Sequence, residues 1–200
     1  CNYGDRQILG IFLTANQSIK ARIISAEKNL KIAFINNDEY NETAKTIPTT
    51  GEWITLENIK EDVGYDSVPL LSTTVLSREN TTINKTYKIE LEYDETIKPL
   101  NYYHYLDNEE EFRNNWIKSG DSFGVIESET LTLVVPSTDI EYMTNYYRNG
   151  FTSLDKFLEY YQKVVEKMDE YIGLDFNPEK ITDQNVRTKY LIRANVHGIG

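Results

Sequence analysis

The sequence has one cysteine, two histidines and five prolines in 200 residues, and each shortage closes off some chemistry. The lone Cys1 has no partner within the chain, so no disulfide framework is built here. With His104 and His197 far apart and no His-Glu-x-x-His pair, the residues present do not assemble a three-ligand catalytic zinc site. Nothing places a serine beside either histidine, so a Ser-His-Asp triad is not expected. There is no P-loop, and Gly198-Ile199-Gly200 is too short a glycine pair to form a phosphate cradle. Long apolar runs are missing too: Leu131 to Val135 has strand length, far short of the roughly 18 residues a membrane span needs. Positive charge is scarce, with 21 Lys and Arg against 32 Asp and Glu and a net charge of −11. A chain of that sign repels phosphate backbones and anionic lipid surfaces, so nucleic acid is not expected as a partner.

What is present reads as a globular chain. Apolar residues make up 40% and charged residues 26%, which suits a packed core rather than a disordered or low-complexity segment. Short β-type segments succeed one another at Ile8 to Thr14, Ile19 to Ser25, Leu30 to Asn36, Trp53 to Glu57, Pro69 to Leu76 and Tyr87 to Tyr93. The spacers hold Asn, Asp and Gly, which suit turns. From Tyr87 to Tyr93 the residues alternate, with Tyr87, Ile89, Leu91 and Tyr93 on one face and Lys88, Glu90 and Glu92 on the other, as in an antiparallel sheet with one wet side. Spacing near ten residues predicts an antiparallel β-sandwich over residues 1–95.

After residue 95 the character changes, and residues 96–200 read as part of an α+β unit. The acidic run Asp107 to Glu111 opens a short helix through Phe112 and Trp116, and Glu129 to Pro136 reads as a buried strand. Apolar residues at three- and four-residue steps, Leu154, Phe157, Leu158, Tyr161, Val164, Val165, Met168 and Ile172, predict a helix over 154–172. Thr152 with Asp155 suggests its N-terminal cap, and Gly173 its C-terminal one. Lys189 to Ala194 is extended and runs into His197-Gly198-Ile199-Gly200, an ending that reads as a break inside a larger domain. Cys1 fits either a lipid-anchored surface protein or the cut end of a longer chain.

Three strings carry a resemblance to a known family: Leu131-Thr132-Leu133-Val134-Val135-Pro136-Ser137, the helix from Phe157 to Leu174, and Thr188 to Gly200. In this order and spacing they resemble the segment that precedes the zinc helix in enhancin and M60-like metallopeptidases. The first half is similar as well, through Gly4-Asp5-Arg6, Gly10-Ile11-Phe12-Leu13, Ala15-Asn16 and Gly51-Glu52-Trp53. The resemblance implies an N-terminal β-sandwich followed by the start of a gluzincin-type α+β catalytic domain. It further implies a secreted or surface zinc peptidase acting on mucins and other O-glycosylated proteins. The family's zinc motif would follow Gly200, so zinc is the cofactor implied for the full-length enzyme, no metal ligand or catalytic residue carries over to this chain, and the piece is expected to be inactive alone. The resemblance leads Asn195 to Gly200 toward the substrate cleft, with His197, Gly198 and Gly200 as cleft candidates. The alternative is a non-catalytic module that binds glycan or protein. Its ligand-stacking candidates are the aromatics Trp53, Trp116, Tyr102, Tyr103 and Tyr105, because sugar faces stack on aromatic rings.

Overall fold

The computed structural model describes residues 4–74, 87–144, 151–175, 179 and 189–196. They form two compact units, one running to Leu100 and taking in Asn195 and Val196, the other spanning Asn101–Ala194. The sequence reading places the boundary near residue 95 and assigns residues 195 and 196 to the second part.

The first unit is all β. Its strands are β1 (Gly4–Ile8), β2 (Ile11–Phe12), β3 (Ser18–Ser25), β4 (Leu30–Ile35), β5 (Thr43–Ile47), β6 (Ile54–Glu57), β7 (Ile59–Lys60), β8 (Val63–Gly64), β9 (Val68–Thr74), β10 (Lys88–Glu92) and β11 (Lys98–Pro99). They pair as β1-β9-β4-β5, β10-β3-β6, β11-β2 and β7-β8, and every pairing is antiparallel. Alternation decides which residues enter the core: β3 turns Ile19, Ala21 and Ile23 inward while Ser18 and Lys20 face water, and β4 does the same with Leu30, Ile32 and Phe34. These residues, with Ile47, Leu56 and Leu71, form one apolar cluster shared by the two larger sheets. Each buried aliphatic side chain contributes about 1.5–3 kcal/mol. Asn58 is fully buried and its amide Nδ2 donates to the Thr14 and Tyr65 carbonyls at 2.7 and 2.5 Å, tying the Leu13 to Gln17 turn to the β7-β8 hairpin. Gly64 has no room for a side chain, since a Cβ there would lie 2.6 Å from the Asn16 backbone nitrogen.

The second unit mixes helix and sheet. It contains β12 (Asn101–His104), α1 (Glu109–Ser119), β13 (Phe123–Glu127), β14 (Leu131–Pro136), α2 (Ile140–Thr144), α3 (Leu154–Ile172) and β15 (Tyr190–Arg193). The strand order is β12-β13-β14-β15, with β12 parallel to β13, β13 antiparallel to β14, and β14 parallel to β15. Parallel neighbours need a crossover, and α1 supplies the one between β12 and β13, while α3 lies between β14 and β15 in the chain. All six residues of β14 are buried, as befits an inner strand covered on both faces. The chain as a whole is therefore α+β, with mostly antiparallel strands in several sheets.

Helix ends follow the local chemistry. Asn108 caps α1 by accepting from the Glu111 amide, and Gly120, at φ 70°, closes it with its N–H on the Trp116 carbonyl. At α3 the cap is Ser153, whose hydroxyl accepts from the Lys156 amide, and not Thr152 as the sequence suggests. Gly173 ends α3 in the left-handed region at φ 78°, where glycine is favoured.

Candidate functional site

The outer half of β12 and the first turn of α3 meet in a polar lattice. Along β12 the side chains alternate, so Tyr103 points inward and is 1% exposed, while the rings of Tyr102 and His104 stack outside at 4.4 Å and 23°. The Tyr103 hydroxyl donates to Asp155 Oδ1 at 2.9 Å, which also accepts from the Leu106 amide at 2.9 Å. Leu106 sits at φ 74°, a strained conformation for a leucine that this amide bond and the β12 exit hold in place. Burial, and then the bond to Asp155, push the Tyr103 phenol far above its ordinary value. Both effects favour the neutral phenol, which donates to Asp155. Tyr105 donates to Glu159 at 3.1 Å, a contact that raises its phenol, and Glu159 is held below the usual carboxylate range chiefly by Lys156. Glu109, in the acidic first turn of α1, accepts from the Leu154 amide at 2.8 Å and pairs with Arg113 at 2.8 Å. These contacts tie β12, α1 and α3 to one another.

Two aromatic candidates are corrected by burial. Trp116 is 3% exposed, donates its indole N–H to the Asp121 carbonyl at 2.7 Å, and lies on Gly124 of β13, where a Cβ would come within 3.0 Å of the ring. Tyr103 fills the same core. Neither ring face is open to a ligand. Tyr102 is half-buried, Tyr105 is exposed, and Trp53 is 39% exposed with the Arg22 guanidinium 4.6 Å from its ring centroid. That cation covers one face of Trp53 and is itself paired with Glu90. Trp53 belongs to the first unit, and Tyr102 and Tyr105 to the second.

The expectation that no Gly-x-Ser-x-Gly elbow is present needs a correction at the level of the string, because Gly120-Asp121-Ser122-Phe123-Gly124 matches the pattern. A nucleophile elbow places that serine on a turn from strand into helix. Here the turn runs from α1 into β13, with Gly120 as the helix cap and Ser122 offering its backbone carbonyl to the Ser137 amide. The order of elements is reversed, and both glycines have the structural reasons given above.

β15 forms an outer strand of its sheet, paired to β14 from Leu131↔Tyr190 to Val134↔Arg193. Lys189, just before it, pairs with Glu127 at the end of β13. Beyond it the Val196 amide donates to the Asn37 carbonyl at 2.9 Å. The cleft candidates His197, Gly198 and Gly200 lie outside the described residues. Among the described residues no group of three or more His, Cys, Asp or Glu side chains is placed to hold a metal ion, so these residues by themselves do not fit a zinc site. None of the described helices is long and apolar enough to cross a membrane.

No family model matches the chain, and no curated protein matches it by sequence. Solved structures do match its fold. The catalytic module of the metalloprotease ZmpA from Clostridium perfringens superposes with a TM-score of 0.65 at 18% identity, over 95% of this chain and 40% of that one. The M60 catalytic domain of Clostridium perfringens ZmpC, in complex with the sialyl T antigen, gives 0.64 at 14% identity over 94% of this chain and 39% of that one. A metallopeptidase in complex with Tn antigen gives 0.53 at 11% identity over 94% and 36%. The chain therefore has the fold of part of an M60-type metalloprotease catalytic module, and spans about two fifths of the length of the modules it matches.

Proposed function

We propose that the chain is the N-terminal part of a secreted or surface zinc metallopeptidase of the enhancin and M60-like kind that acts on mucin-type glycoproteins. The observation that carries this reading is the fold match across almost the whole chain to catalytic modules of metallopeptidases, two of which hold carbohydrate antigens. The two larger sheets of the first unit are read as the β-sandwich that precedes the catalytic domain, and the second unit as the domain's opening part. Zinc, when bound to the intact enzyme, would supply a Lewis acid for the peptide carbonyl. The role of this chain is to position substrate, with β15 leading into a segment in which Gly198 lets a substrate backbone come close and His197 and Gly200 flank it.

The test is hydrolysis of a peptide carrying a Tn or sialyl T glycan by the intact polypeptide, against the same peptide without glycan and against enzyme stripped by a chelator. Cleavage that needs both the glycan and the metal supports the reading. The 200-residue chain alone should bind far less than one zinc per molecule by elemental analysis. Replacing Gly198→Val in the intact polypeptide should lower turnover by at least about tenfold, about 1.4 kcal/mol of barrier, with zinc content unchanged. Unchanged turnover would remove this segment from the cleft. A second reading, a module that binds glycan or protein without cleaving it, is favoured by the partial exposure of Trp53. It predicts no hydrolysis by the intact protein and loss of glycan binding on Trp53→Ala or on replacement of Tyr102 and Tyr105.

A further inference from the structure

Helix α3 outruns its packing. Leu154, Phe157 and Leu158 are buried, and Tyr161 and Val165 pack partly against the same core. The stripe then continues in the same period into Met168 and Ile172, which are 62% and 63% exposed, with Tyr171 beside them at 91%. Tyr160, Val164, Met168, Tyr171 and Ile172, together with Lys163 and Lys167, line an open groove of about 600 Å³. The Tyr190 hydroxyl of β15 reaches Asp169 Oδ1 on this half of the helix at 3.4 Å, and Tyr190 and Ile192 are exposed residues two apart on that outer strand. The exposed stripe of α3 makes an apolar corner beside the end of β15, larger than the single exposed residues that surfaces normally carry.

We propose that this corner is an internal seat, covered in the intact polypeptide by apolar chain that follows Gly200 in the same catalytic module. The inference rests on reading this chain as the first part of a longer module. Two observations choose this occupant over a second copy of the chain. The matched catalytic modules extend well beyond the part that superposes, which is 40% and 39% of their length, so the fold itself includes further polypeptide. The exposed stripe also continues a helix face already committed to an intramolecular core, so its cover completes that core.

Thiol labelling tests this. In a Cys1→Ser background, Met168→Cys and Ile172→Cys are placed one at a time in the intact polypeptide and in the 200-residue chain. Glu166→Cys, on the exposed face of α3, serves as an accessible control, and Leu158→Cys, in its packed half, reports that the chain is folded. In the 200-residue chain the Met168 and Ile172 positions should react at the rate of the Glu166 control. In the intact polypeptide they should be slowed at least about tenfold, because reaction then waits on local opening. Equal rates in the two proteins would overturn the proposal, and so would protection that appears only as concentration and particle mass double. Loss of the peptidase reading would show separately, as absent hydrolysis of the glycopeptide with protection of Met168 and Ile172 intact.

Discussion

The first and last turns of α3 carry the same three- and four-residue apolar spacing and end in different surroundings. At the N-terminal end, Leu154, Phe157 and Leu158 are buried with Tyr103, Phe112 and Leu133, Ser153 caps the backbone, and Asp155 ties the turn to Tyr103 and Leu106. Toward the C-terminus, Met168 and Ile172 are exposed and the nearby polar contacts include an exposed Lys167–Glu170 pair and the long Tyr190 bond to Asp169. Periodicity selects which face of a helix is apolar. It does not say whether anything is there to meet that face, and stability follows the meeting.

The largest effect that would sharpen this contrast is Leu158→Ala. The side chain is fully buried, so truncation should leave a cavity and cost about 2–5 kcal/mol in chemical denaturation; a loss under about 0.5 kcal/mol would mean the packed half is not packed. Next comes Ser153→Ala, which removes the acceptor for the Lys156 amide and should cost about 1 kcal/mol by the same measurement. Smallest is Met168→Ala in the 200-residue chain, expected within about 0.5 kcal/mol of wild type, as for a surface position. A cost near that of Leu158→Ala would erase the difference between the two ends.

Legibility in the sequence followed the same division. The limits of α3 can be read from its stripe and Gly173, and most first-unit strands from alternation, because their inward residues really do meet a core. β5 escaped notice because its middle residues, Ala44, Lys45 and Thr46, are exposed and only Ile47 is buried, which leaves little alternation to see. β13 was missed because Gly124 interrupts its apolar run, and the reason for that glycine, the Trp116 ring lying on it, is a tertiary fact. The N-cap lies one residue beyond the expected Thr152, at Ser153, because both are cap formers and serine is the better one, and the expected partner, Asp155, is occupied by Tyr103 and Leu106 instead.

The candidate site was less legible than the fold. Aromatic residues announce burial and ligand stacking with the same letters, so Trp116 and Tyr103 could be sorted from Trp53 only by packing. The acidic turn of α1 reads as a solvated helix start, and Glu110 and Glu111 are exposed accordingly, yet Glu109 reaches the Leu154 amide across 45 residues of sequence, which no local pattern foretells.

Amide hydrogen exchange along α3 is the most direct measurement of the central claim, that packing rather than spacing separates its two ends. In the 200-residue chain, amides from Phe157 to Tyr161 should exchange at least about a hundredfold more slowly than those from Met168 to Ile172, because only the first group opens with the core. In the intact polypeptide the difference should shrink as the second group becomes protected. Uniform protection along the whole helix in the 200-residue chain would contradict the account.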